Sequence, residues 1–264
     1  AIKVFKMSCV DEADIFDRLE EAALLSSLGH PNIIRVFDAD TITFENEEYA
    51  YLTMEYFPAG NLEEFWRQQN MGLIPINILI NIFIQILRGL SVAHSSDPPI
   101  IHRDINLNNI LLGFDGQRLR SVLCDFGFAR RVNPLTLMAS AKGTLPFKAP
   151  ELFQNENLDS RTADVWSIGC CMYLLLTNRF PYHVHHKMPT MTVPTFPEPY
   201  TPAGKINVDV FPEMEDILFS ALQLNPVNRI PHAIDFLGML INCLRDLHDQ
   251  QQGEGSIHIK ELPP

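Results

Sequence analysis

The middle of this 264-residue chain holds ionisable and turn-forming residues at an unusual density. His102, Arg103 and Asp104 are followed by Asn109, then by Asp125, Phe126 and Gly127, and the stretch closes on Ala149, Pro150 and Glu151. A carboxylate such as Asp104 can take the proton of a reacting hydroxyl. Asn109 and Asp125 offer hard oxygen atoms of the kind that Mg²⁺ prefers. Taken singly, each of these residues also fits a turn or a cap, where Asp and Asn bond nearby backbone.

The ordered set with its spacings resembles the eukaryotic-like protein kinases, and the likeness runs from Ala1 to about His248. The resemblance implies an α+β, two-lobed kinase fold. Residues 1–57 would form a small β-rich N-lobe up to the hinge, with its first strands missing, residues 58–248 a larger helical C-lobe, and residues 249–264 a polar linker or tail. It implies transfer of the ATP γ-phosphate to serine or threonine of protein substrates, which is mostly positioning and charge neutralisation. In that reading Asp104 is the base, and Asn109 and Asp125 hold Mg²⁺. His102 and Phe126 align the site from within. Lys3 would hold the α and β phosphates and pair with a glutamate of the next helix, Glu21 in preference to Glu20. Adenine would lie between Ala1 and Leu111, against backbone groups of Glu55 and Phe57 and beside Met54 as gatekeeper, with Asn61 near the ribose. Asp164 would anchor the catalytic loop, and Arg229 would pair with Glu151. Arg103 would meet a phosphate on Ser140, or on Thr136, and Thr144 would bond the catalytic aspartate.

Departures from the family pattern raise alternatives. Asn106 stands where a lysine usually touches the γ-phosphate, and an asparagine brings no charge to the transition state. The first glycine is Gly29, so no glycine-rich loop precedes Lys3. The expectation is an N-terminally truncated catalytic domain with weak ATP binding. A pseudokinase scaffold, which binds partners without efficient transfer, is the rival reading. A small-molecule kinase is a third, disfavoured by the Ala149-Pro150-Glu151 segment and its arginine partner.

The elements that must position these residues are legible from periodicity. Residues 1–6 alternate as a strand with Ala1 and Lys3 on one face. Residues 14–28 carry a helical repeat ended by Gly29-His30-Pro31. Strand-like runs cover 33–37, 40–45 and 48–56, the last two forming a hairpin around Glu45-Asn46-Glu47. Residues 76–93 read as a mostly buried helix with a thin polar stripe of Asn77, Asn81, Gln85 and Arg88. Short strands flank Asp115-Gly116, and helices follow at 164–177, 213–223 and 231–248. The proline-rich stretch 181–212 reads as irregular, and its His183, His185 and His186 read as exposed loop residues rather than metal ligands. Lys and Arg number 20 against 32 Asp and Glu, a net charge of -12, which argues against nucleic-acid binding and against a polybasic membrane anchor. Five cysteines without a C-x-x-C spacing argue for reduced thiols and a cytoplasmic setting rather than a disulfide framework. No segment reads as membrane-spanning, since about 20 apolar residues are needed.

Overall fold

The computed structural model describes residues 1–6, 28–126, 147–153, 160–182 and 199–257. Strands β1 (Ile2–Lys6), β2 (Val36–Phe44) and β3 (Glu47–Met54) form an antiparallel sheet in the order β1-β3-β2. Lys3 stands opposite Leu52, and Val4 opposite Tyr51. The hairpin between β2 and β3 closes through Glu45 and Asn46, both at positive φ (51° and 63°), the geometry that matches strand twist in a two-residue turn. The runs read separately at 33–37 and 40–45 are arranged differently here. Val36–Phe44 is a single strand with a register shift between Val36 and Asp38. Ile33 and Ile34 leave the sheet, become buried, and bond toward Leu123 in the other lobe. A local bulge absorbs the irregularity that the sequence pattern suggested was a break. The helix read at 14–28 lies outside the described residues apart from Leu28.

The helical part begins with α1 (Leu62–Gln68), whose start is fixed by a capping box between Asn61 and Glu64. Helix α2 (Ile76–Ser95) follows the sequence reading closely. Asn77, Asn81 and Arg88 are exposed and Gln85 is half-buried, while Leu79, Ile82, Phe83, Ile86 and Leu90 are fully covered. By length and composition α2 is apolar enough to cross a membrane, but it is the core helix of this lobe, packed against β5 and the last helix. Strands β4 (Ile110–Asp115) and β5 (Arg118–Leu123) pair as a hairpin whose turn holds Gly116 at φ 60°. Helix α3 (Arg161–Thr177) starts at the cap Ser160 and ends at Asn178 in the left-handed conformation. It is buried on all sides, including Trp166 and Tyr173, as expected for a rod at the centre of a lobe. Helix α4 (Pro212–Ala221) begins on a proline at its first turn. Helix α5 (Ala233–Ile257) packs on α2 and runs on into the stretch 249–264 that the sequence reading assigns to a polar linker or tail. Gly89 of α2 permits a close approach: a Cβ there would lie 2.8 Å from the Asn32 carbonyl oxygen. That approach carries Asn32 and Ile33 to β5 and joins the two lobes.

Candidate active site

The turn after Ile101 and the short 3₁₀ helix Leu107–Asn109 form one loop around Asp104. Asp164, fully buried on α3, holds the loop from below. Its Oδ2 accepts from the His102 backbone N–H (2.8 Å) and its Oδ1 from that of Arg103 (2.9 Å). His94 Nε2 on α2 lies 2.9 Å from the same carboxylate. These bonds hold Arg103 at φ 68°, a left-handed conformation that a non-glycine residue adopts only when its surroundings enforce it. Burial by itself would raise the Asp164 carboxyl, but the bond and charge of His94, with His102, hold it below the usual carboxylate range. His102 is buried, its ring centre 4.4 Å from that of Phe126 at a tilt of 46°, and bonded through Nε2 to the Cys124 carbonyl. Burial lowers its basicity, against the opposing pull of Asp164 and Asp104.

Asp104 is held by amides on both sides. Asn106 Nδ2 donates to its Oδ1 (3.1 Å) and its carbonyl (3.1 Å). Asn109 Nδ2 donates to its Oδ2 (3.1 Å) and its carbonyl (2.7 Å). Burial pushes the Asp104 carboxyl up, against the opposing pull of His102 and of the two amides. Asn106 is itself buried, and its Oδ1 accepts from the Asn108 N–H (2.9 Å) as the cap of the 3₁₀ helix. The side chain at this position thus holds Asp104 and caps the turn.

Across the cleft, Lys3 Nζ meets Asp125 Oδ1 at 2.8 Å, bringing together residues 122 apart in the chain. Asp125 sits at φ 59°, turned back toward the sheet. Asn109 donates through Nδ2 to Asp104, and its amide oxygen takes no part in those bonds; its backbone carbonyl accepts from the Cys124 N–H, one residue before Asp125. Among the described residues no three His, Cys, Asp or Glu side chains gather into a metal cage. One carboxylate and one amide oxygen suit Mg²⁺, which takes few protein ligands and fills its sphere from phosphate and water. The expected donor set therefore fits.

The segment after β3 crosses between the lobes. Glu55 N–H donates to the Arg35 carbonyl, and the Phe57 carbonyl accepts from Gly60 N–H. The Glu55 carbonyl and the Phe57 N–H take no part in those bonds. Met54 and Leu111 pack on one small cluster with Phe57, Ile34 and Val122. Ala1 continues the β1 pairing to Met54, on the Lys3 face of the strand. Asn61 is the α1 cap, its Oδ1 accepting from Glu64 N–H at 2.8 Å, so its side chain serves the helix start. Sequence reasoning missed Arg120 on β5. Its guanidinium pairs with the Glu55 carboxylate, donates to the Pro31 carbonyl, and lies over the Phe57 ring. It missed His94 as well, a polar residue closing an otherwise apolar helix face. Glu151 and Arg229 meet as expected, through two bonds of 2.6 Å each. Glu20, Glu21, Thr136, Ser140, Thr144, Gly127 and the histidines at 183, 185 and 186 lie outside the described residues.

A family profile for the protein kinase domain matches residues 1–235. The chain belongs to the protein kinase family. This kinase domain is 28% identical over 249 residues to a probable serine/threonine-protein kinase of Clostridium perfringens, covering 93% of this chain and 34% of the relative. It is 29% identical over 253 residues to the serine/threonine-protein kinase ATG1a of Arabidopsis thaliana, covering 93% of this chain and 38% of that one. Human mitogen-activated protein kinase kinase kinase 1 is 31% identical over 217 residues, with 80% of this chain and 14% of the relative covered. The kinase domain thus spans little more than a third of the length of the first curated relatives it matches. Among solved structures, the PknI kinase domain of Mycobacterium tuberculosis superposes with a TM-score of 0.66 at 19% identity, covering 92% of this chain and 84% of that one. That likeness establishes the two-lobed α+β fold of the kinase domain.

Proposed function

We propose that this kinase domain transfers the γ-phosphoryl group of ATP to serine or threonine hydroxyls of protein substrates. The observation that supports the reading is the Lys3–Asp125 ion pair together with Asn109, which holds Asp104 and whose carbonyl accepts from the Cys124 N–H one residue before Asp125. Lys3 binds the nucleotide phosphates and shares the Asp125 carboxylate. Asp125 and Asn109 hold Mg²⁺, which when bound neutralises phosphate charge. Asp104, fixed by Asn106 and Asn109, orients the acceptor hydroxyl and takes its proton; the upward push of burial on its carboxyl makes it a better base than an ordinary aspartate. The Glu55 carbonyl and Phe57 N–H receive the purine edge, with Met54, Ala1 and Leu111 around the ring. Glu21, Arg103, Ser140 and Thr144 keep the roles that the family resemblance gives them. A cytoplasmic site of action is in keeping with buried thiols at Cys124, Cys170 and Cys171. The test is transfer of labelled γ-phosphate to a generic protein acceptor by the intact protein, with Asp104→Asn as control.

One observation favours a second reading. Asn106 brings no cation to the phosphate and both ends of its amide are committed within the loop. Absence of transfer with either Mg²⁺ or Mn²⁺, in a protein that melts cooperatively, would support a pseudokinase scaffold.

A further inference from the structure

We infer that Arg120 is a positioning residue for the nucleotide: it holds the inter-lobe segment 55–57 in the shape that receives the purine. The inference rests on the kinase reading of that segment. Arg120 lies on β5 in the C-lobe, 65 residues from Glu55. Its guanidinium grips the Glu55 carboxylate with two nitrogens, the second contact measuring 3.1 Å. Nε and the second terminal nitrogen also donate to the Pro31 carbonyl, at 3.0 and 2.9 Å. The guanidinium carbon stands 5.3 Å from the centre of the Phe57 ring, within reach of a cation–π contact.

These contacts have a common consequence. Glu55 and Phe57 are the residues whose carbonyl and N–H are free to face a ligand, and Arg120 touches the side chain of each. Pro31 belongs to the turn whose neighbours Asn32 and Ile34 bond to Leu123 on the same strand. One planar donor fork therefore sets the distance between the segment and both lobes, which a lysine ammonium cannot do in two directions at once. Gly113 completes the fit, since a Cβ there would lie 3.0 Å from Phe57 Cδ1. Contacts already made before binding lower the ordering cost of the ligand, so their loss appears as weaker binding rather than slower chemistry.

The experiment measures nucleotide affinity and kinetics on the intact protein. A fluorescent ATP analogue with Mg²⁺ is titrated against the parent, Arg120→Ala, Arg120→Lys and Glu55→Gln, and the double variant Arg120→Ala/Glu55→Gln. The expected result is a Kd and a KM for ATP raised roughly fivefold to tenfold in Arg120→Ala, with kcat within about twofold. Arg120→Lys should recover part of the loss, and the double variant should be no worse than Arg120→Ala, since both remove one contact. Should Arg120→Ala misfold, as a lowered melting temperature would reveal, Glu55→Gln carries the test with a smaller rise in Kd. Unchanged Kd in both single variants, with a parent that binds, overturns this inference alone. A folded parent that binds no nucleotide overturns the kinase reading and this inference together.

Discussion

Asp104 shows how a reactive group is paid for in stability. Its carboxyl is pushed up by burial. The folded state therefore prefers the protonated form, and stability is lost as pH rises through the folded pKa. At pH 7 the ionised Asp104 is a cost that Asp104→Asn removes. That variant should abolish phosphoryl transfer; its amide keeps one of the two acceptors that Asn106 and Asn109 bond, so the relief and the lost bond offset and its melting temperature at pH 7 should move by no more than a few degrees, a larger drop meaning that the carboxylate holds the loop. The acid limb of kcat in the parent should lie above the ordinary aspartate value of about 3.9. Asn106 makes a second prediction at this scale. Because its Nδ2 steadies Asp104, Asn106→Ala should lower kcat roughly tenfold to a hundredfold through misplacement of the base, with KM for ATP unchanged. A rise in KM with constant kcat would instead place Asn106 on the nucleotide.

Pairs that join elements carry stability rather than chemistry. Arg229 has a fully covered side chain that reaches Glu151 and the carbonyls of Thr162, Gln223 and Leu224, and it lies 4.9 Å over Trp166. Arg229→Ala leaves a covered carboxylate without its partner. The expected loss is about 3–5 kcal/mol, a drop on the order of 10 °C in melting temperature for a domain of this size. Calorimetry checks it. Asp164 joins α2, α3 and the catalytic loop. Its carboxyl is held below the usual range, so its stabilising contribution is present above the unfolded pKa near 3.9 and is lost as pH falls through the folded value. Asp164→Asn should therefore flatten the decline of stability in acid, measured as denaturant midpoint against pH below about 4.

For the molecule as a whole, the Lys3–Asp125 pair is partly open to water. The Lys3 and Asp125 side chains are 36% and 28% exposed, so their pair contributes little to folding. Lys3→Met should remove transfer activity and weaken nucleotide binding while moving the melting temperature by no more than a few degrees. A large loss of stability would mean that the pair holds the lobes together. The lobes are joined instead by backbone, through Ile34 to Leu123 and Leu123 to Asn32, and by Arg120. With a net charge of -12 in this chain, local cations must draw the nucleotide in, because the long-range field opposes it.

The order and spacing of Asp104, Asn109, Asp125 and Glu151 were readable because a motif lies on a few consecutive residues, and α2 and β3 were readable because periodicity is local. The same locality explains the errors. Whether the run from Ile33 to Phe44 breaks or bulges depends on what Ile33 and Ile34 pack against, and that partner, Leu123, lies far along the chain. Asn106 looked like a missing charge, and only its surroundings turned it into a clamp on Asp104. Arg120 and His94 carry no local signature, since a strand arginine and a helix histidine are ordinary. By itself the sequence determined which groups could act and the elements that bear them. The tertiary structure decided which groups meet, because contacts between residues 62 and 122 apart, as in the His102–Asp164 and Lys3–Asp125 pairs, are set by how helices and strands pack and not by any neighbour in the chain.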